Sequence, residues 1–120
     1  MQNHSLEQVP PEDFERVCTL FRVLSDPTRL RLLLALTLRE QTVGALVEIL
    51  EQPQSTVSRH LALLRQSHLV STRREATRMH YRLKDTHLSA LVIEAFSHAE
   101  HERGQMLDHS TQFPSSERKS

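Results

Sequence analysis

The feature that most limits what this chain can fold into is a change of period near residue 69. Upstream, "STVSRHLALLRQS" places Val57, Leu61 and Leu64 three or four positions apart, which is one side of a helix. Downstream, "LVSTRRE" and "RMHYRL" are two short runs separated by "AT". In the second run Met79, Tyr81 and Leu83 alternate with Arg78, His80 and Arg82. Period two means a strand, here with one apolar and one basic face, and the pair reads as a β-hairpin.

The chain before this switch is helical. "PEDFERVCTLFRVLS" carries Phe14, Val17, Cys18, Phe21 and Leu24 at helical spacing behind an acidic start that suits a helix N-terminus. In "SDPTRLRLLLALTLR", Asp26 is a candidate N-cap and Pro27 takes the first helical position. Its leucines predict a helix buried on most sides. Thr42 caps a short third helix, "VGALVEILE", with Val43, Leu46, Val47 and Leu50 inward. Two short helices, a tight connection and a basic hairpin describe a mostly α fold with a β-hairpin wing, the winged helix-turn-helix.

At 120 residues the chain is expected to form one domain. Residues 1–11 read as a disordered arm, 12–103 as the DNA-binding and dimerisation domain, and 104–120 as a flexible tail. With no Trp and one Tyr the core is small, and a further apolar face is expected to be buried in an oligomer. No apolar run approaches the ~20 residues of a membrane span. The polar, acidic N-terminus is not a signal peptide. Cys18 sits among apolar residues and reads as core or interface. A single cysteine has no disulfide partner within the chain, so the cytoplasm is the expected compartment.

Charge is unevenly placed. Between residues 53 and 84, Arg59, Arg65, Arg73, Arg74, Arg78, Arg82 and Lys84 stand against Glu75 alone, a net +6 in a chain whose total is zero. Such a stripe is the footprint of a nucleic-acid contact surface. On the wheel of the fourth helix, Ser55, Arg59 and Ala62 fall opposite the apolar side, flanked by Thr56 and Ser58. This face is short, polar and rich in donors, and small Ala62 permits close approach. A recognition helix lays such residues in the major groove. Gln54, Ser55, Thr56, Ser58, Arg59 and His60 form the expected reading set, with Arg59 suited to guanine. Arg73, Arg74, Arg78 and Arg82 are expected on the wing, against phosphates.

"LSDPTRLRLLLAL", "STVSRHLALLRQSHLV" and "TRREATRMHYRL" together resemble the ArsR/SmtB family of bacterial winged-helix metal-sensing repressors, over roughly residues 13–103. The family often has Gly in the wing turn. Here "REATRM" has Ala76, which implies a different or longer turn, because Gly alone adopts positive φ without steric cost.

The last helix, "KDTHLSALVIEAFSHAEH", carries metal-binding side chains at both ends. Asp85 and His87 open it; His98 and His101 close it. At about 1.5 Å per residue, His87 and His98 lie roughly 16 Å apart along the axis, so one ion cannot reach both. Leu88, Leu91, Val92, Ala95, Phe96 and Ala99 form a stripe in need of a partner. If that partner is the same helix of a second subunit, a two-fold axis makes the pair antiparallel. Each half-site then meets the other half across the dimer, which is expected to form through the first and last helices. Asp85 and His87, two positions apart, converge only if Asp85 lies before the first full turn.

Three imidazoles and a carboxylate suit Zn(II) or Co(II) in tetrahedral coordination, with no open position for hydrolysis. The same Asp-x-His, ten-residue, His-x-x-His pattern resembles the last-helix site of the family's zinc and nickel/cobalt sensors. The arsenic sensors' cysteine motif is absent from the third helix. Zn(II) is the first expectation and Ni(II) or Co(II) the alternative. A six-ligand nickel site would recruit His109, His4, Asp108 or Glu102.

The resemblance implies that the apo dimer binds double-stranded operator DNA and that metal releases it. It also implies that His98 donates its second ring nitrogen to a backbone carbonyl near Ser67–His68, behind the recognition helix. Rival readings are a repressor of the same fold answering a non-metal signal, a metal-dependent enzyme, and a protein-interaction module. The enzyme lacks an open coordination position and a cleft base. The basic stripe speaks against the interaction module.

Overall fold

The computed structural model describes residues 6–109, and the side chains of residues 6–106. A 3-10 turn, Leu6–Gln8, precedes α1 (Pro11–Leu24), α2 (Pro27–Leu38), β1 (Gln41–Thr42), α3 (Val43–Leu50), α4 (Gln54–Gln66), β2 (Val70–Glu75), β3 (Arg78–Leu83) and α5 (Thr86–His109). The hairpin is part of a three-stranded antiparallel sheet in the order β1-β3-β2. The two-residue strand β1 has no signature in the sequence; it exists because Gln41 and Thr42 pair with Tyr81 and His80.

Local signals fix the helix starts. Asp26 caps α2, its Oδ2 accepting from the Arg29 N–H at 3.0 Å, with Pro27 behind it. Thr42 caps α3, its Oγ1 accepting from the Ala45 N–H at 3.2 Å. Glu51, in the left-handed region at φ 55°, ends α3 in the manner of an αL cap.

α2 is the central helix, packed against α3, α4 and α5. Leu32, Leu33, Leu46, Val57, Leu61, Leu64 and Val92 are fully buried and join the four helices in one core. Burying each such side chain is worth about 1.5–3 kcal/mol, so α4 is held against the helical core by its apolar side.

Three expectations need correction. The wing turn is not lengthened: Glu75 pairs with Arg78, leaving a two-residue loop, and Ala76 adopts φ 57° without being glycine. The chain before residue 12 is not without structure where it is described: it holds the 3-10 turn, and α1 begins at Pro11. The last helix does not end near residue 103. It runs through Gly104 to His109, because one glycine among good helix formers costs about 1 kcal/mol without stopping the helix. The remainder of both tails, including His4, lies outside the described residues, as do the side chains of Asp108 and His109.

The α1 stripe is also turned outward in a single protomer. Phe14, Val17 and Phe21 are about half exposed and Cys18 is exposed, while Val23 faces the core. Phe96 and Ile93 of α5 are likewise exposed. Among the described residues no helix is long and apolar enough to cross a membrane.

Candidate nucleic-acid interface and paired metal ligands

α4 presents Gln54, Ser55, Ser58, Arg59, Ala62 and Arg65 to solvent, and Thr56 is half-buried. Pro53 precedes the helix without a side-chain cap. The Thr56 and Val57 N–H groups donate to the Pro53 carbonyl at 3.1 Å each, and no side chain caps the amides of Gln54 and Ser55 before them, an arrangement in which a helix N-terminus can take a phosphate. Ser58, Ala62, Arg65 and Gln66 line a hollow of about 410 Å³ against Tyr81 of β3, so the helix and the wing are continuous. On the wing Arg74, Arg78 and Arg82 are exposed. The Arg82 Nε donates to Ser71 Oγ at 3.2 Å.

Two residues expected at the DNA surface, His60 of the reading set and Arg73 of the wing, turn to partners within the chain. His60 is half-buried, and its Nδ1 lies 4.0 Å from Asp26 Oδ2. The Asp26 carboxyl is held below its ordinary range, chiefly by the Arg29 backbone N–H, with the charges of Arg29 and His60 adding to it. Arg73 meets Glu40 side-on. Its Nε donates to Oε1 and Oε2 at 2.9 and 3.0 Å, and its Nη2 lies 2.7 Å from Oε1. Its Nη1 also reaches Glu75 Oε1 at 3.1 Å. This hydrogen bonding lowers the Glu40 pKa and raises that of Arg73. Glu40 was not legible as a partner, because 33 residues separate it from Arg73 and nothing local links them.

The side chains expected to ligate metal stand as two separate pairs, one at the start of α5 and one farther along it. Asp85 lies just before the helix, its Oδ1 accepting from the Leu88 N–H at 3.0 Å. It thus meets the condition for converging with His87, and Oδ2 remains available. His87, His98 and His101 are exposed. The His98 Nε2 lies 3.5 Å from Glu102 Oε2, one turn along. Among the described residues of one chain, no three His, Cys, Asp or Glu side chains gather into a metal site.

Residues 26–72 match the family described as bacterial regulatory protein, arsR family. The chain is 42% identical to the HTH-type transcriptional regulator KmtR of Mycobacterium tuberculosis, over 79% of this chain and 73% of that one. It is 36% identical to the HTH-type transcriptional repressor SmtB of the same species, over 75% and 67% of the two chains. The fold is similar to the solution structure of a homodimeric winged helix-turn-helix DNA-binding domain from Mycobacterium bovis. That match has a TM-score of 0.74 and 25% identity, covering 88% of this chain and 95% of the other.

Proposed function

Because the chain belongs to the ArsR family of bacterial regulatory proteins, we propose that it is a metal-responsive transcriptional repressor whose apo dimer binds operator DNA. Two such dimer-related copies of α5 complete two equivalent sites. Asp85 and His87 of one protomer, with His98 and His101 of its mate, would hold the ion. Three imidazoles and a carboxylate would suit Zn(II), which would serve there as a structural joint between the protomers. The observation that carries the reading is the split itself. Asp85 stands outside the helix with one oxygen free, while His98 and His101 are exposed about three to four turns along a helix whose apolar stripe is partly uncovered. The exposed faces of α1 and α5 supply the dimer surface.

On the DNA side, α4 enters the major groove with Gln54, Ser55, Thr56, Ser58 and Arg59, and Arg74, Arg78 and Arg82 of the wing lie along phosphates. Release requires that the joined half-sites favour a dimer shape that fits DNA poorly. The coupling equals that differential affinity, typically ~1–3 kcal/mol. A ligated imidazole needs an acceptor for its other N–H. For His98 the carbonyls of Ser67 and His68, at the end of α4, are the route toward the reading helix.

The deciding experiment is a titration of Co(II) into chelator-stripped protein, followed by visible absorption, with binding of a duplex from the protein's own promoter measured in parallel. Intense ligand-field bands saturating at one ion per chain, with loss of duplex binding, support the zinc reading. Weak bands at the same stoichiometry favour a six-coordinate nickel/cobalt sensor, which the position of Glu102 beside His98 allows. Duplex binding that ignores metal leaves a repressor answering another signal.

A further inference from the structure

We propose that Arg73 is a positioning residue that fixes the wing against the body of the domain and makes no contact with the DNA backbone. The inference rests on the DNA-reading function above. The sequence offers Arg73 and Arg74 side by side as equal cations; the sheet separates them. In the antiparallel register Arg73 lies opposite His80, and His80 in turn lies opposite Thr42. Glu40, two residues before Thr42, continues the line of that face, since residues i and i+2 share a side of a strand. Arg73 therefore reaches from β2 over β3 toward the corner between α2 and β1. There Glu40 meets it with both oxygens and Glu75 closes on its other nitrogen.

The position matters because β2 is the outer strand of the sheet and is hydrogen-bonded only to β3. β2 also packs on α4, where Val70 is buried. The Arg73–Glu40 pair adds a second tie, from β2 across β3 to the residue just before β1, with half-buried His80 beneath it, its Nε2 3.6 Å from Glu75 Oε1. Planar, two-point pairing with a carboxylate is the geometry in which arginine orients as well as attracts. Turning Arg73 toward a phosphate would exchange carboxylates for another anion and leave the Glu40 carboxylate without its hydrogen-bonding arginine beside DNA. Arg74, Arg78 and Arg82 carry no such carboxylate pairing among the described residues.

Salt dependence separates the two roles, because each phosphate contact contributes about −0.9 to the slope of log K against log salt. The full-length dimer would be titrated with its promoter duplex at several salt concentrations, as wild type, Arg73→Ala, Glu40→Gln, their double variant and Arg74→Ala. Positioning predicts that Arg73→Ala and Glu40→Gln each weaken binding about threefold, on the scale of a well-formed surface pair. The double variant falls no further, and all three keep the wild-type slope. Arg74→Ala lowers the slope by about 1. A slope lowered by about 1 in Arg73→Ala, with tighter binding by Glu40→Gln, would overturn the proposal. Amide exchange of β2 and β3 in the free protein gives a reading that needs no DNA. It should quicken in both Arg73→Ala and Glu40→Gln, and unchanged exchange in both also overturns the proposal. Wild-type protein that binds no duplex would sink the DNA function while the exchange experiment still judges the clamp.

Discussion

The His60 Nδ1 lies 4.0 Å from Asp26 Oδ2, so α4 and the N-terminus of α2 share one carboxylate. The same oxygen accepts the Arg29 N–H, and Arg29 Nε donates in turn to the Val23 carbonyl at 2.9 Å. Asp26 thus joins the end of α1, the start of α2 and the middle of α4.

Asp26→Ala should destabilise the fold by about 1 kcal/mol, the usual cost of a lost N-cap. Asp26→Asn should cost less, since Asn caps as well but carries no charge toward His60. The Asp26 pKa is lowered in the folded state. Its contribution is therefore present above the unfolded carboxylate value of ~3.9 and is lost as pH falls through the lower folded value. Urea unfolding of wild type and Asp26→Ala should show a gap that is constant near neutrality and closes below about pH 4. A gap that widened in acid would contradict this assignment.

The wing turn predicts a gain from a single substitution. Ala76 is held at φ 57°, where an L-residue with a Cβ is strained by roughly 1–2 kcal/mol. Glycine removes that strain but loses more entropy on folding, roughly 0.4–1 kcal/mol. Ala76→Gly should therefore stabilise by about 0.5 kcal/mol, visible as a higher urea midpoint at unchanged slope.

Gly104 predicts a gain of the opposite kind. It lies within α5, has no positive φ, and a Cβ built on it meets nothing within 4 Å. Gly104→Ala should raise helix content in circular dichroism and add about 0.5–1 kcal/mol. No change in either would mean that the distal turns of α5 are already fixed by another contact.

What the sequence made legible was what local chemistry encodes. The caps of Asp26 and Thr42, the inward sides of α3 and α4, and the strand alternation of Met79, Tyr81 and Leu83 all follow from neighbours a few residues away. What it hid depends on pairing over distance. β1 exists only through β3, and Arg73 differs from Arg74 only through Glu40. His60 looked like a groove-facing residue until α2 supplied Asp26. The outward turn of Phe14, Val17 and Phe21 has the same origin: helical spacing shows a stripe but not which body covers it. The end of α5 was misplaced because glycine lowers helix stability without setting a boundary.

Asp85 caps α5, and substitution can separate that role from the one the proposed function gives it. Its Oδ1 caps α5 at Leu88, and under the proposed function its other oxygen would complete the metal site. Asp85→Asn keeps a capping oxygen, so the unfolding free energy of the metal-free protein should change by only a few tenths of a kcal/mol, whereas Asp85→Ala should lose about 1 kcal/mol. Co(II) affinity should fall in both variants by more than about tenfold, since even an outer partner of a metal ligand costs that much. Equal affinity in wild type and Asp85→Asn would assign Asp85 to the cap alone. The ligand set would then be His87, His98 and His101, and the coordination number would have to be made up by Glu102 or by the tails.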